Sequence, residues 1–300
     1  MNAATTQNIA AGTATKSWFA VYADLVKARL TLLVLLTTLV GFYVGFRGPM
    51  NYLLMFHALF GTALVASGAA ALNQLLEREY DARMRRTAGR PLPSGRLTPV
   101  TVMLFGGVCS LAGTIYLALL VNPLTSVLGA VSLVSYLFIY TPLKRITWLN
   151  TAVGAIPGAL PPLMGWAAAR GELSGGGWAL FAILAFWQMP HFFAIAWIYR
   201  DEYAKAGFQM LPAVDPDGSR TAQQSVSHTL GLLPISLTPF VLHLAGPVYL
   251  TGAILLGAAY LGCAIQFARR LDLPSAKKLF FASIIYLPLL LIVLVADKVK

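Results

Sequence analysis

Three hundred residues, 58% hydrophobic and only 11% charged, with a mean hydropathy of +0.71, exclude an ordinary soluble domain. The net charge of +11 at pH 7 is spread over separate loops, which excludes a compact nucleic-acid-binding module and leaves membrane topology as its explanation. Two cysteines, Cys109 and Cys263, each inside an apolar run, exclude both a disulfide framework and a Cys/His metal site.

In chain order, the first sixteen residues are rich in Ala and Thr, without an apolar core or an arginine. They fit neither a signal peptide nor a strong presequence. A mobile tail is expected over 1–20, ahead of a single transmembrane domain over 21–300. Apolar runs follow at about 25–46, 52–76, 100–121, 124–140, 151–169, 177–199, 225–245, 248–268 and 279–296. Backbone groups in lipid must be satisfied within their own segment, so runs of this length form helices. The expected fold is an all-α polytopic bundle of nine transmembrane helices. With the N-terminus in the cytoplasm, 18 basic residues fall on that side and 4 (Arg47, Arg170, Lys298 and Lys300) on the other, which predicts an N-inside protein. The third and fourth runs meet at Asn122-Pro123, a tight helical hairpin. The stretch Gly154–Gly165 mixes Gly and Ala with Pro157, Pro161 and Pro162, as expected of a kinked span with close neighbours.

The densest polar stretch, Asn73–Arg96, leaves the second span at the membrane edge. Asn73, Glu77 and Asp81 are spaced four apart, so they climb one helix face. Three oxygen-bearing side chains on one face suit Mg²⁺, which also takes waters and substrate phosphates. Arg85, Arg86 and Arg90 follow, and arginine grips phosphate oxygens with paired hydrogen bonds. Glu79 and Arg83 read as solvated loop. A second cluster, Arg200, Asp201, Glu202 and Lys205, sits where the sixth span leaves the membrane on the same side, so the two clusters form the walls of a diphosphate pocket. Gln188 and His191 lie within that span, where polar groups face protein or a cavity. His191 is either an interhelical hydrogen-bonding group or a ligand or proton-transfer group. Asp215 and Asp217, in Asp-Pro-Asp-Gly, read as a turn.

Asn73-x3-Glu77-x3-Asp81-x2-Met84-x-Arg86-Thr87-x2-Arg90-Pro91-Leu92 resembles the first signature of the UbiA superfamily of intramembrane prenyltransferases. Tyr140-Thr141-Pro142-Leu143-Lys144-Arg145, Pro161-Pro162-x2-Gly165, Trp187-Gln188-Met189-Pro190-His191-Phe192 and Tyr199-Arg200-x2-Tyr203-x2-Ala206-Gly207-x2-Met210-Leu211-Pro212 resemble its haem-farnesylating branch. The resemblance covers about 25–296. Two departures stand out: Glu77 replaces the usual middle aspartate, and Lys205 stands where the wider superfamily has a second aspartate.

The resemblance implies transfer of a farnesyl group from farnesyl diphosphate to a vinyl group of haem b, giving haem O. An aromatic-acid polyprenyltransferase is the alternative. Mg²⁺ would be the cofactor, held by Asn73, Glu77 and Asp81 with Asp201 opposite, or Glu202 in its stead. Arg86, Arg90 and Lys205 would neutralise the departing diphosphate. Arg200 and Tyr203 join the substrate-binding set, Lys144 and Arg145 would meet the haem propionates, and His191 would hold the haem. The implied location is the bacterial cytoplasmic membrane. The implied partners are the lipid bilayer and the haem A synthase or terminal-oxidase assembly machinery, with no nucleic acid.

Overall fold

The computed structural model describes residues 17–299; most of the expected tail, and Lys300, lie outside the described residues. Ser17 caps a short helix, α1 (Trp18–Leu25), so the tail's last four positions are already structured. Then come α2 (Ala28–Gly45), α3 (Tyr52–Asp81), α4 (Pro99–Leu120) and α5 (Pro123–Val134). A π-helical turn (Ser135–Tyr140) and α6 (Thr141–Leu143) continue α5. The second half holds α7 (Asn150–Arg170), α8 (Gly175–Ile198), α9 (Arg200–Ala206), α10 (Leu211–Val214), α11 (Ser219–Val241), α12 (Pro247–Arg270) and α13 (Leu273–Ala296).

Eight of the described helical segments are long and apolar enough to cross a membrane. The expected count of nine is therefore not reached. The remaining run lies within α11, whose Ser, Thr, Gln and His content and two internal prolines dilute its apolar character. Asp215 and Asp217 form the turn before it. Asp215 Oδ2 accepts from Thr221 N and Oγ1, both at 2.8 Å, and Asp217 Oδ1 accepts from Ser219 N at 3.2 Å. At Asn122 the side chain accepts from Thr125 N at 2.8 Å and donates to Ala167 O at 2.9 Å, closing the expected hairpin and tying it to α7.

α7 is the most enclosed of the eight spans and divides the bundle. On one side it packs with α3, α4 and α5 around Leu117, Leu160, Leu163 and Met164. On the other it shares with α8, α11, α12 and α13 a larger core around Trp166, Ile183, Tyr249, Tyr260 and Leu290. Pro157, Pro161 and Pro162 lie inside a helix that stays continuous. Lipid offers no hydrophobic drive for helix association, so close backbone approach supplies much of it. A Cβ at Gly165 would run into the Thr38 carbonyl, and one at Gly41 into the Pro162 carbonyl, so α2 and α7 touch backbone to backbone.

Gly165→Ala should therefore lower the stability of the detergent-solubilised protein by about 1–3 kcal/mol, because backbone cannot yield cheaply. Gly107, where an added Cβ would meet nothing within 4 Å, is the control. Thermal unfolding followed by fluorescence should show a clear loss for Gly165→Ala and almost none for Gly107→Ala.

Candidate functional site

The polar stripe on α3 ends in a recess at one end of the bundle. Asn73, Glu77 and Asp81 are all buried, as the four-residue spacing predicts, whereas the Glu79 side chain is 71% exposed on the other face. The chain after α3 turns back on itself: Thr87 Oγ1 donates to Asp81 O at 2.8 Å, and Arg90 N to Thr87 O at 2.9 Å. These turns bring the Arg90 guanidinium onto Asp81 Oδ2 at 2.6 Å.

Opposite α3 stands the end of the α5 segment. Its π-helical turn stacks Tyr136 and Tyr140 with ring centroids 5.7 Å apart. Such turns place side chains where a regular helix would not. Thr141 Oγ1 accepts from Asn73 Nδ2 at 3.1 Å. Just beyond α6, Lys144 Nζ meets Glu77 Oε1 at 2.7 Å and lies 4.5 Å from the Tyr140 ring centre. Burial is the largest single influence and works against the Lys144 charge, but the Glu77 carboxylate and the other groups around it together hold the ammonium well above the ordinary lysine range. The head of α2 contributes a third cation. Lys27 Nζ donates to Asn73 Oδ1 at 2.8 Å and to Tyr136 OH at 3.4 Å, from a backbone in the left-handed region (φ 50°).

The second polar loop closes the remaining side. Arg86 Nη2 donates to Tyr203 OH at 3.0 Å, so the two loops meet at one end of the bundle. Gln209 N donates to Lys144 O at 2.6 Å, which straps the chain after α9 to the site. The recess, about 70 Å³, is lined by the α3 stripe together with Lys27, Arg86, Arg90, Tyr140, Lys144 and Tyr203, and by the apolar Met84, Phe208 and Met210. Four basic side chains face two carboxylates; burial pulls the pKa of Lys27 down to about 7, so the recess carries a net charge of about +1 to +2, which complements a polyanion.

Six of the expected site residues lie away from the recess, and Lys144, expected at the haem propionates, sits on Glu77 instead. Asp201 is 86% exposed and lies 3.8 Å from Arg200, itself exposed, and Lys205 shares that outward face one turn on. None of the three lines the recess. Glu202 does not line the recess either, but it is half-buried, with its Oε2 enclosed and without a hydrogen-bond partner among the described residues. Arg145 turns aside to Tyr80, donating to its hydroxyl at 3.1 Å with its guanidinium 4.4 Å from the ring centre. His191 lies within the bundle. Its Nδ1 pairs with Ser283 Oγ at 2.7 Å and its ring stacks between Trp187 and Phe280, at 5.2 and 5.1 Å, so it joins α8 to α13.

Sequence reasoning passed over Lys27, counted there only as a topogenic charge, and gave Tyr140 no role. The signal for Lys27 is weak: a cation heading an apolar run is the usual mark of a membrane edge. Among the described residues no cluster of three or more His, Cys, Asp or Glu exists. The donor set of two carboxylates and one amide oxygen nonetheless fits Mg²⁺, which is commonly bound through one or two carboxylates plus waters and phosphates.

The model of the UbiA prenyltransferase family matches residues 34–285. The chain belongs to this family. Among its UbiA relatives, the protoheme IX farnesyltransferase of Solibacter usitatus is 48% identical over 92% of this chain and 98% of that protein. That of Koribacter versatilis is 45% identical over 92% and 93%. The fold is shared with solved structures at low identity. A digeranylgeranylglyceryl phosphate synthase superposes with a TM-score of 0.79 at 14% identity, covering 93% of this chain and 98% of its own. A UbiA homologue from Archaeoglobus fulgidus bound to GPP and Mg²⁺ gives a TM-score of 0.67 at 16% identity, covering 91% and 99%.

The His191 environment yields a prediction of its own. His191→Phe keeps the aromatic stack and deletes the hydrogen bond to Ser283. Because Ser283 Oγ still donates to Phe280 O, the variant should lose only the net worth of one hydrogen bond, about 0.5–1.5 kcal/mol of stability, and leave diphosphate affinity unchanged. Thermal melts and labelled-diphosphate binding would separate this from a ligand role, which would spare the melt and alter haem binding.

Proposed function

We infer that this chain is a membrane prenyltransferase that moves the farnesyl group of farnesyl diphosphate onto a vinyl group of haem b, releasing diphosphate and giving haem O. The observation that carries the prenyl-transfer reading is the recess itself. It sets a carboxylate-amide stripe against four cations, at the end of a membrane bundle. The choice of haem as acceptor is supported by relatives called protoheme IX farnesyltransferase, 37–48% identical over most of the chain.

In this reading Asn73, Glu77 and Asp81 would hold Mg²⁺, and of the second loop's two acids the half-buried Glu202, outside the recess lining, is a fitter candidate than the exposed Asp201. Mg²⁺ would supply Lewis-acid stabilisation of the departing diphosphate. A homologue solved with GPP and Mg²⁺ supports that assignment. Lys27, Arg86, Arg90 and Lys144 bind the phosphate oxygens and neutralise the charge that grows as the C1–O bond breaks. Tyr203 orients Arg86 through its hydroxyl. The apolar wall of Met84, Phe208 and Met210 keeps water from the allylic cation until the vinyl carbon attacks it. One water then adds to the resulting benzylic-type centre and loses a proton.

The site end of the bundle faces the cytoplasm in this proposal, because 18 basic residues gather on that side against 4. With Cys109 and Cys263 replaced by alanine, cysteines at Ser94 and Glu172 should react with an impermeant thiol reagent from opposite sides. Labelling from one side would contradict the orientation.

The activity test is incubation of the purified protein with haem b, Mg²⁺ and farnesyl diphosphate, with mass spectrometry expected to show haem gaining farnesyl plus water. Asp81→Asn and Glu77→Gln, at the two carboxylates that line the recess, should each cut turnover by about 10²–10³-fold. Glu79→Gln and Asp201→Asn, on exposed faces, should leave it within about twofold. Equal losses at buried and exposed acids would refute the assignment of the metal-binding face.

A further inference from the structure

Each oxygen-bearing side chain of the α3 stripe is gripped by its own cation, and the three cations come from different parts of the chain. Lys27 Nζ holds Asn73 Oδ1 at 2.8 Å, Lys144 Nζ holds Glu77 Oε1 at 2.7 Å, and Arg90 holds Asp81 Oδ2 at 2.6 Å. All three contacts are part-buried, where charges are weakly screened. A divalent ion seeking these oxygens meets ammonium and guanidinium groups already on them, and like charges this close repel strongly. The cations, in turn, have few other anions within the recess: among the described residues its lining carboxylates are Glu77 and Asp81. An arriving diphosphate changes both conditions. It supplies the cations with new oxygens and thereby frees the old ones.

We propose that the metal and the diphosphate bind this site interdependently, through an exchange of partners. The diphosphate draws Lys27, Lys144 and Arg90 off Asn73, Glu77 and Asp81, and the vacated oxygens take the metal. The coupling is reciprocal: each ligand tightens the other by the same factor. Lys27 is central to the exchange. Its head-of-helix position and left-handed backbone place the ammonium between Asn73 and Tyr136, with no carboxylate of its own. A non-glycine residue held in that conformation is costly and persists where the surroundings require it. The proposal rests on the prenyl-diphosphate reading above.

The exchange predicts effects opposite in sign to those of simply deleting a ligand, and these are measurable without turnover. The full chain is taken in nanodiscs. In EDTA, Asp81→Asn and Glu77→Gln release their cations and should bind ³²P-labelled inorganic diphosphate about tenfold more tightly than the parent protein. With Mn²⁺ alone, followed by the electron paramagnetic resonance signal of the free ion, Lys27→Met and Lys144→Met should bind the metal about tenfold more tightly than the parent. Lys27→Met leaves a neutral Asn73 behind, so it tests the exchange even if Lys144→Met fails to fold. Parent protein that binds Mn²⁺ alone, or diphosphate alone, as tightly as these variants would overturn the exchange and leave the prenyl-diphosphate reading intact. Diphosphate binding to no protein, with or without Mn²⁺, would overturn both.

Discussion

Two carboxylates and an amide oxygen are buried at the membrane edge, and this burial sets the terms for the rest of the site. An ionised carboxylate removed from water costs far more than its burial returns unless a cation and hydrogen bonds meet it. Glu77 and Asp81 are met by Lys144 and Arg90 at 2.7 and 2.6 Å. Each pairing dictates local backbone. Arg90 reaches Asp81 only because the loop turns through Thr87, and Lys144 reaches Glu77 only because the π-helical turn carries the α5 segment past Asn73. A pair broken on one side would leave a buried charge uncompensated, which is why these elements are fixed together.

That arrangement needs a rigid frame, and close backbone packing supplies it. α2, which delivers Lys27, lies against α7 through Gly41 and Gly165, where no side chain fits between the two helices. α7 in turn holds the hairpin at Asn122 and the strap at Asn150, whose Nδ2 donates to Gln209 O at 2.9 Å. Small residues in the membrane therefore act on the chemistry at a distance: they set how near the cations come to the stripe.

The sequence made some of this legible and hid the rest, for physical reasons. The stripe at 73, 77 and 81 was readable because helical periodicity alone fixes its face. The exposure of Glu79, two residues from both Glu77 and Asp81, follows from the same geometry. The hairpin at Asn122 and the turn at Asp215 were readable because both are local side-chain-to-backbone motifs. Lys27 was not, because its partner lies 46 positions away and its local setting is that of any membrane-edge lysine. Glu202 and Asp201 are neighbours in sequence, and only the orientation of a short helix separates a half-buried acid from an exposed one. His191 carried a polar signal that fits a ligand and an interhelical bond equally, and contact with Ser283, 92 positions away, decides its place. The ninth run is less apolar than the other eight because α11 carries Ser, Thr, Gln and His side chains, some of them bonded within the helix, as Thr229 is to Ser225 O at 2.7 Å.

The central claim is that the Asn73, Glu77 and Asp81 face carries the metal that meets the diphosphate. Anomalous scattering from Mn²⁺ in crystals grown with a non-hydrolysable farnesyl diphosphate analogue tests it most directly. The account predicts a peak about 2.1 Å from Glu77 and Asp81 oxygens and from an analogue phosphate oxygen. A peak bound elsewhere, with the α3 stripe still on Lys27, Lys144 and Arg90, would contradict it.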